Sequence, residues 1–389
     1  MSLKKFLEEI SSVFRINKLH QEAYEKADDK EIPFDSINKV AKELHPGKIN
    51  AIVKEIKKET NDSARITFSS PLIPLFKAGT YLTINLKINE SIVTRAYSIV
   101  SSPLSSYRNK EVSIIVKDYP DGFVSTYLNH QLKEKDEVII EVGLGQFYLD
   151  EYRDKKNILA IAGGAGITPF ISIAHDIKER NLDYNLIILY GSDNPNEIIA
   201  KEELESLMQD NIKIIHVISG NYPYKGEKGF ITKELIKKYA KEDCSYFFSG
   251  PRVMYLAILK EIGEIGGDIR KIRAESFPIN DITKHPEFDK NFTDKEFDIE
   301  VHQGINVKHI KALAKESIAV ALERSGLRIN TSCRAGSCGV CRIKILKGDY
   351  FVPSDMDKRR YSDKECNYVH SCSTYPKSDL IIKINICNE

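Results

Sequence analysis

Ser332-Cys333-Arg334-Ala335-Gly336-Ser337-Cys338-Gly339-Val340-Cys341-Arg342 sets three cysteines in the order C-x4-C-x2-C, and Cys372 follows about thirty residues later. That is the plant-type spacing for the ligands of a 2Fe-2S cluster. Glycines and small residues between the thiols let the backbone wrap an inorganic core and aim N–H groups at the sulfurs, stabilising the negative charge that rises on reduction. A zinc site would want a second close ligand pair, and the later cysteines, Cys366 and Cys372, stand six residues apart. The pattern predicts a chain that moves single electrons.

Working outward from the loop, 297–302 and 307–312 alternate like strands, 317–324 reads as a helix, and 341–346 and 380–384 alternate again. From about Glu296 onward the chain resembles a plant-type 2Fe-2S ferredoxin, the β-grasp fold. The resemblance assigns Cys372 as the fourth ligand, because it follows His370-Ser371 and precedes the last strand, with Cys366 as its competitor.

A chain of 389 residues exceeds one such domain and implies two to four. Its 42% hydrophobic and 29% charged residues are ordinary for globular material. With 57 Lys plus Arg against 56 Asp plus Glu, nothing points to nucleic acid or an anionic membrane, so small molecules and proteins are the expected partners. The N-terminal stretch has no signal-peptide apolar core, and no run of eighteen apolar residues suggests an integral membrane segment. Seven cysteines, four assigned to a cluster, fit a reducing cytoplasm, with Cys244 and Cys387 as inert thiols.

Upstream, Thr94-Arg95-Ala96-Tyr97-Ser98 and Gly122-Phe123-Val124-Ser125-Thr126-Tyr127-Leu128 flank a strand pattern at 112–117, in a stretch of all-β texture. An arginine two residues before a tyrosine can pair with a phosphate while the phenol lies along a flavin ring. The second segment can offer backbone N–H groups and a hydroxyl to the same pyrophosphate. A third constellation, Gly163-Gly164-Ala165-Gly166-Ile167-Thr168-Pro169, follows the buried-strand run 158–162. Thr168 suits an N-cap and Pro169 the first helical position, so 170–179 is expected to be a helix with its positive end facing the turn. Pro169 stands where the usual dinucleotide fingerprint has its third glycine, leaving a plain strand-to-helix connection as the alternative. Beyond it, strand and helix patterns alternate from 186 to 262, which implies a parallel sheet.

In this order the pieces resemble the ferredoxin-NADP reductase superfamily fused to a C-terminal ferredoxin, over about residues 48 to 389. The group includes oxygenase reductases, the phenylacetyl-CoA epoxidase reductase subunit and the hybrid-cluster-protein reductase. The resemblance implies a multidomain chain: an N-terminal helical extension at 1–47, an antiparallel β-barrel flavin domain at 48–152 and an α/β parallel-sheet nucleotide domain at 153–277. A linker at 278–294 and a β-grasp ferredoxin domain at 295–389 complete it. It places Arg95, Ala96, Tyr97, Ser98, Gly122, Phe123, Val124 and Ser125 at the flavin. Gly164, Gly166, Thr168 and Pro169 go to the nicotinamide dinucleotide, as do Ser249, Gly250 and Pro251, which match a Cys-Gly-Pro motif with serine for cysteine. Glu275-Ser276-Phe277 matches a terminal Glu-x-aromatic bordering both cofactors. Ser98, Ser249 and Glu275 are the implied catalytic residues, acting by position and charge.

A nicotinamide gives two electrons together, a 2Fe-2S cluster accepts one, and a flavin can deal with both. The leading reading is an NAD(P)H-dependent reductase that delivers single electrons to a separate acceptor protein. A self-contained oxidoreductase acting on a small molecule and a redox sensor are the alternatives. The family holds FAD and FMN members, and the Gly122 to Ser125 segment looks more like the FAD members. NADH is expected over NADPH, because Tyr190-Gly191-Ser192-Asp193 and Ser219-Gly220-Asn221-Tyr222 lack the arginine that a 2'-phosphate calls for, although Lys225 and Lys228 follow. Leu3, Phe6, Leu7, Ile10, Val13 and Phe14 recur at helical spacing, and Asp35 to Val40 reads as a second short helix. Such a stripe packs on the protein's own body or docks an acceptor. The Pro- and charge-bearing linker is expected to let the ferredoxin domain reach the flavin.

Overall fold

The structure, a computed structural model, describes residues 14, 17, 18, 20–22, 25, 34–89, 91–119, 122–241, 243–267, 272–276 and 281–384. The chain divides into residues 1–45 and 46–389. In the first unit, α1 (Phe34–Leu44) is exposed from Asn38 to Leu44, Val40 and Leu44 included. Phe14 is helical and exposed, and the rest of the expected stripe, Leu3 to Val13, lies outside the described residues.

The second unit opens with six antiparallel strands. In β1 (Lys48–Thr60) the residues Ile49, Ala51 and Val53 point inward while Lys48, Asn50, Ile52 and Lys54 point out, the period-2 signature of a half-buried strand. With β2 (Ser63–Ser69), β3 (Tyr81–Ile88), β4 (Ser91–Ser98), β5 (Glu111–Lys117) and β6 (Glu137–Leu144) it forms a sheet of order β4-β3-β6-β1-β2-β5. A bridge between Ile99 and Ile114 joins its two edges, closing a barrel filled by Ile66, Phe68, Leu82, Ile84 and Leu128. Two helices interrupt the expected all-β texture. The Ser102 side chain caps α2 (Pro103–Asn109), with Pro103 in its first turn, and α3 (Phe123–His130) begins directly after Gly122.

The next sheet is parallel throughout, in the order β10-β9-β8-β7-β11-β12. Its strands are β7 (Asn157–Gly163), β8 (Asn185–Ser192), β9 (Ile212–Ile218), β10 (Glu227–Lys228), β11 (Cys244–Gly250) and β12 (Arg273–Ser276). From Ile158 to Gly163 β7 is apolar and buried between neighbours, as a central parallel strand must be. The strand order reverses at β7, so the crevice at its carboxyl end is where such sheets take ligands. A 3-10 turn, Gly164–Ile167, leads into α4 (Thr168–Glu179), after which come α5 (Lys201–Leu207), α6 (Lys233–Tyr239) and α7 (Arg252–Glu264). Thr168 is therefore not the N-cap that its sequence position predicts. The turn shifts the start of the helix, and the Thr168 hydroxyl donates to the carbonyl of Ala165 at 2.9 Å.

The last sheet, β14-β13-β19-β15-β17, is built from β13 (Glu296–Gln303), β14 (Asn306–Leu313), β15 (Arg342–Lys347), β17 (Tyr368–His370) and β19 (Leu380–Ile384). A small pair, β16 (Tyr350–Phe351) and β18 (Tyr375–Pro376), stands apart from it. β19 runs parallel to β13, and α8 (Ile318–Arg324) packs Ile318, Ala321 and Leu322 onto the sheet, the β-grasp arrangement. Of the linker expected at 278–294, the described residues 281–294 pack against the module that follows. Within it Ile282 and Phe288 are buried with Tyr375, and Phe292 and Phe351 pack beside them, because three large apolar side chains among the charges outweigh the polar composition. No helix among the described residues is long and apolar enough to cross a membrane.

Candidate functional site

The Arg95, Ala96, Tyr97 and Ser98 series ends β4, where the strict in-out alternation of burial gives way to half-burial at every position from Thr94 to Ser98. The strand end thus leaves the barrel core and presents both faces to other groups. Tyr97 packs on the barrel core, and burial pushes its phenol up to about 12. Arg95 uses only Nη1 on protein, bonding the carbonyl of Thr94 at 3.0 Å and the two Glu323 oxygens at 3.1 and 3.0 Å. Its Nε and Nη2 have no protein partner among the described residues, a donor pair suited to a phosphate. Burial, reinforced by the nearby Arg334 charge and opposed by Glu323, holds this guanidinium down to about 10. An added anion fits that environment.

Gly122 to Ser125 form the start of α3, so their backbone N–H groups lie at a helix N-terminus. Val124 is buried in the barrel core and Phe123 is exposed. Gly122 admits no side chain, since a Cβ there would lie 2.2 Å from Ser125 Oγ and 2.9 Å from the carbonyl of Tyr119. The glycine keeps the Ser125 hydroxyl accessible at the helix start.

At the nucleotide sheet the carboxyl ends of three strands come level, with Ser249 of β11 in register with Ala162 of β7 and Glu275 of β12. Gly164 adopts φ +53° with open space around its missing Cβ, whereas a Cβ on Gly166 would lie 2.0 Å from the carbonyl oxygen of Ser249. One glycine leaves the turn open and the other lets it pack against β11. Gly166→Ala is expected to destabilise the fold by about 1–3 kcal/mol through overpacking, and to raise the KM for the nucleotide. Thermal unfolding and steady-state kinetics read the two effects, and unchanged values for both would remove the packing role. Pro169 lies in the first turn of α4, and Gly250 and Pro251 lead into α7 (Arg252–Glu264).

Ser249 is fully buried, and its hydroxyl has no partner among the described residues. An orphaned hydroxyl here fits a bound nicotinamide amide, since buried polar atoms otherwise find partners. Beside it the Glu275 carboxylate accepts a hydrogen bond from Ser98 Oγ at 3.0 Å, and desolvation pushes the carboxyl up to about 7 against the pull of that bond. The pair joins the end of β4 to the end of β12. Phe277 lies outside the described residues.

The four expected thiols fall into two couples, Cys333 with Cys338 and Cys341 with Cys372, each close enough for a sulfur hydrogen bond. Among the described residues no point gathers three His, Cys, Asp or Glu ligands. Two couples suit the two irons of a 2Fe-2S cluster, one couple per iron, while a mononuclear zinc would need all ligands about one point. Arg334, Gly336 and Gly339 take positive φ, and the Cys333 sulfur accepts from the N–H groups of Ala335 and Cys338 at 3.5 and 3.4 Å. Cys366 is exposed at the end of the short helix α9 (Tyr361–Glu365).

The sequence reading missed the residues that seat this loop on the barrel. Tyr81 Oη and Ser332 Oγ lie 2.6 Å apart, and Thr331 Oγ1 donates to the carbonyl of Thr94 at 3.3 Å. Nothing in their spacing signals the contact. They are ordinary strand and loop residues until the fold brings them together.

Residues 50–148 match the oxidoreductase FAD-binding domain, 160–260 the oxidoreductase NAD-binding domain, and 305–377 the 2Fe-2S iron-sulfur cluster binding domain. The glycine betaine monooxygenase reductase subunit of Chromohalobacter salexigens is 26% identical over 87% of this chain and 95% of its own length. NADH oxidoreductase HCR of Escherichia coli is 25% identical, covering 85% of this chain and 96% of that one. The solved structure of phthalate dioxygenase reductase, at 21% identity, superposes with a TM-score of 0.66 over 87% of this chain and 98% of its own, a likeness of fold.

Proposed function

We propose, for a chain that belongs with the ferredoxin-NADP reductase flavoproteins fused to a C-terminal 2Fe-2S domain, that electrons enter from NADH at Glu275 and leave through the Cys333 to Cys372 cluster to a separate acceptor protein. The observation that carries this reading is the end of β4. Within four residues, Ser98 bonds the nucleotide-side Glu275 and Arg95 bonds the ferredoxin-side Glu323, so one strand end touches both neighbours of the flavin site.

Flavin supplies the conversion from paired to single electrons when bound. The chain's own residues do the rest. Arg95 and the N–H groups of 123–125 hold the flavin phosphates, and Tyr97 packs along the ring. Ser98 holds its proton toward Glu275 and fixes that carboxylate. Ser249 and Glu275 orient the nicotinamide, and Gly164 leaves the turn open to its pyrophosphate. Cys333, Cys338, Cys341 and Cys372 would ligate the cluster; Cys341 and Cys372 are buried and Cys338 is exposed, so an acceptor would approach from the side of Cys338. The acceptor is an oxygenase or another redox enzyme, in line with the monooxygenase reductase subunit among the relatives, and the free cysteines fit a reducing, cytoplasmic setting.

The test is partner dependence. Purified holoprotein with NADH should reduce ferricyanide and cytochrome c at once, yet convert no small organic substrate until a terminal oxygenase is added. Product formed without any partner would favour a self-contained oxidoreductase.

Nucleotide choice follows from the ends of β8 and β9. The Asp193 carbonyl there accepts from the Gly220 N–H at 2.9 Å and its carboxylate accepts from Ser219 Oγ at 3.3 Å, which puts a negative charge at the strand ends expected to line the adenine ribose. We expect kcat/KM for NADH to exceed that for NADPH by about tenfold or more, for want of an arginine at the ribose. Equal values would mean that Lys225 or Lys228 supplies the missing charge.

A further inference from the structure

Glu323 sits on α8 of the ferredoxin domain, where a sequence reading makes it a solvated helix charge, yet it is 2% exposed. A buried carboxylate is tolerated when cations and hydrogen bonds enclose it. Two arginines do so here. Arg334 Nη1 reaches Oε1 at 2.7 Å and Arg334 Nη2 reaches Oε2 at 3.2 Å, the parallel two-point fork that fixes a guanidinium in one orientation. From the other side comes Nη1 of Arg95.

The two arginines belong to different machines. Arg334 follows Cys333 directly in the cluster loop and holds φ +53°, while Arg95 lies in the flavin barrel with Nε and Nη2 uncommitted. Among the described residues, Glu323 is therefore the one carboxylate that pairs with both the cluster-loop arginine and the phosphate-facing arginine. Two neutral contacts flank it on the same seam, Tyr81 with Ser332 and Thr331 with Thr94.

We propose that Glu323 is a positioning residue that clamps the cluster loop to the flavin barrel through Arg334 and Arg95, setting the approach of the cluster to the flavin. The inference rests on the reading that electrons pass from flavin to cluster. The transfer it serves moves one electron from reduced flavin to a ferric iron of the cluster, making that iron ferrous, with no bond made or broken. Loss of the carboxylate leaves two buried cations facing each other, so the seam opens where the distance between donor and acceptor is set. A flavin phosphate at Arg95 adds the anion that balances the second arginine, so a filled flavin site tightens the same clamp.

The test uses full-length holoprotein carrying Glu323→Gln or Glu323→Asp. In stopped flow with NADH, flavin bleaching should stay within about twofold of wild type, while cluster bleaching slows by about tenfold to a hundredfold, the scale of a small misplacement of reacting groups. Glu323→Asp, which keeps the charge, should recover part of the loss. Independently of turnover, hydrogen exchange in the peptide spanning 328–335 should speed up in Glu323→Gln and remain slow in β7 and β11. Cluster bleaching and exchange both equal to wild type would overturn the proposal, as would equal slowing of the flavin and cluster phases. If Glu323→Gln does not fold, Tyr81→Phe, which deletes a neutral contact on the seam, should give the same split at smaller amplitude, and its absence counts against the clamp. A wild-type cluster that NADH never reduces would sink the underlying reading instead.

Discussion

Serine in place of Cys372 is expected to strip the protein of its cluster bands and of its delivery of electrons to cytochrome c, while serine in place of Cys366 leaves both intact. Cys372 is buried and packs with Cys341, whereas Cys366 is exposed at the end of α9, with β17 between it and Cys372. A hydroxyl is a poor substitute for thiolate at iron, so loss of one ligand should be near total rather than graded. Visible and electron paramagnetic resonance spectra, with iron content, decide the matter. A Cys366→Ser protein lacking the bands beside a Cys372→Ser protein retaining them would exchange the two assignments. Flavin reduction by NADH should survive in either variant, since the FAD- and NAD-binding domains carry that step.

Glu275→Gln is expected to slow reduction of the flavin by NADH on the order of a hundredfold at alkaline pH, the scale for removing one preorganised electrostatic group. As hydride leaves, positive charge develops on the nicotinamide ring, and an ionised Glu275 beside it stabilises that charge. With its carboxyl pushed up to about 7, the residue is mostly neutral below that pH and ionised above it. The wild-type rate should therefore rise with pH through about 7, and the variant should be flat and close to the acid-limb rate. Stability runs the opposite way. A carboxyl raised from 4.5 in the unfolded chain favours the fold below that value and loses its contribution as pH passes through about 7. Glu275→Gln should remove this acid-side advantage from the pH profile of thermal unfolding. A wild-type rate that is level from acid to alkali, with a variant equally fast, would take Glu275 out of the reaction.

What the sequence disclosed and what it withheld divide along physical lines. Motifs that depend on neighbours in the chain were legible: the thiol spacing, the glycine turn after β7, and apolar runs that became 212–218 and 380–384 as strands. The Lys-Glu-rich second half of β1 hid a strand, because its outward face is almost wholly charged. The cap of α4 was misread because the 3-10 turn that displaces it leaves no mark in composition. Glu323 and the partners of Ser98 were beyond reach, since their meaning comes from residues 228 and 177 positions away. A buried charge cannot be told from a solvated one until the far end of the chain has arrived.

The aromatic packing of residues 281–294 settles where this chain can be cut and rejoined. Ile282 and Phe288 cover Tyr375, and Asp355, next to that patch, takes Arg252 Nε at 2.7 Å and faces His285 Nε2 at 3.2 Å. The stretch travels with the iron-sulfur module even though it precedes that module's first strand. A graft made at Lys295 would strand a greasy tail on the donor half and bare an aromatic face on the other, inviting aggregation. A graft made ahead of Asp281 carries the cover along. Shuffling of electron-exit modules among reductases of this build then has a natural crossover point, fourteen residues ahead of Lys295, the residue just before the strand.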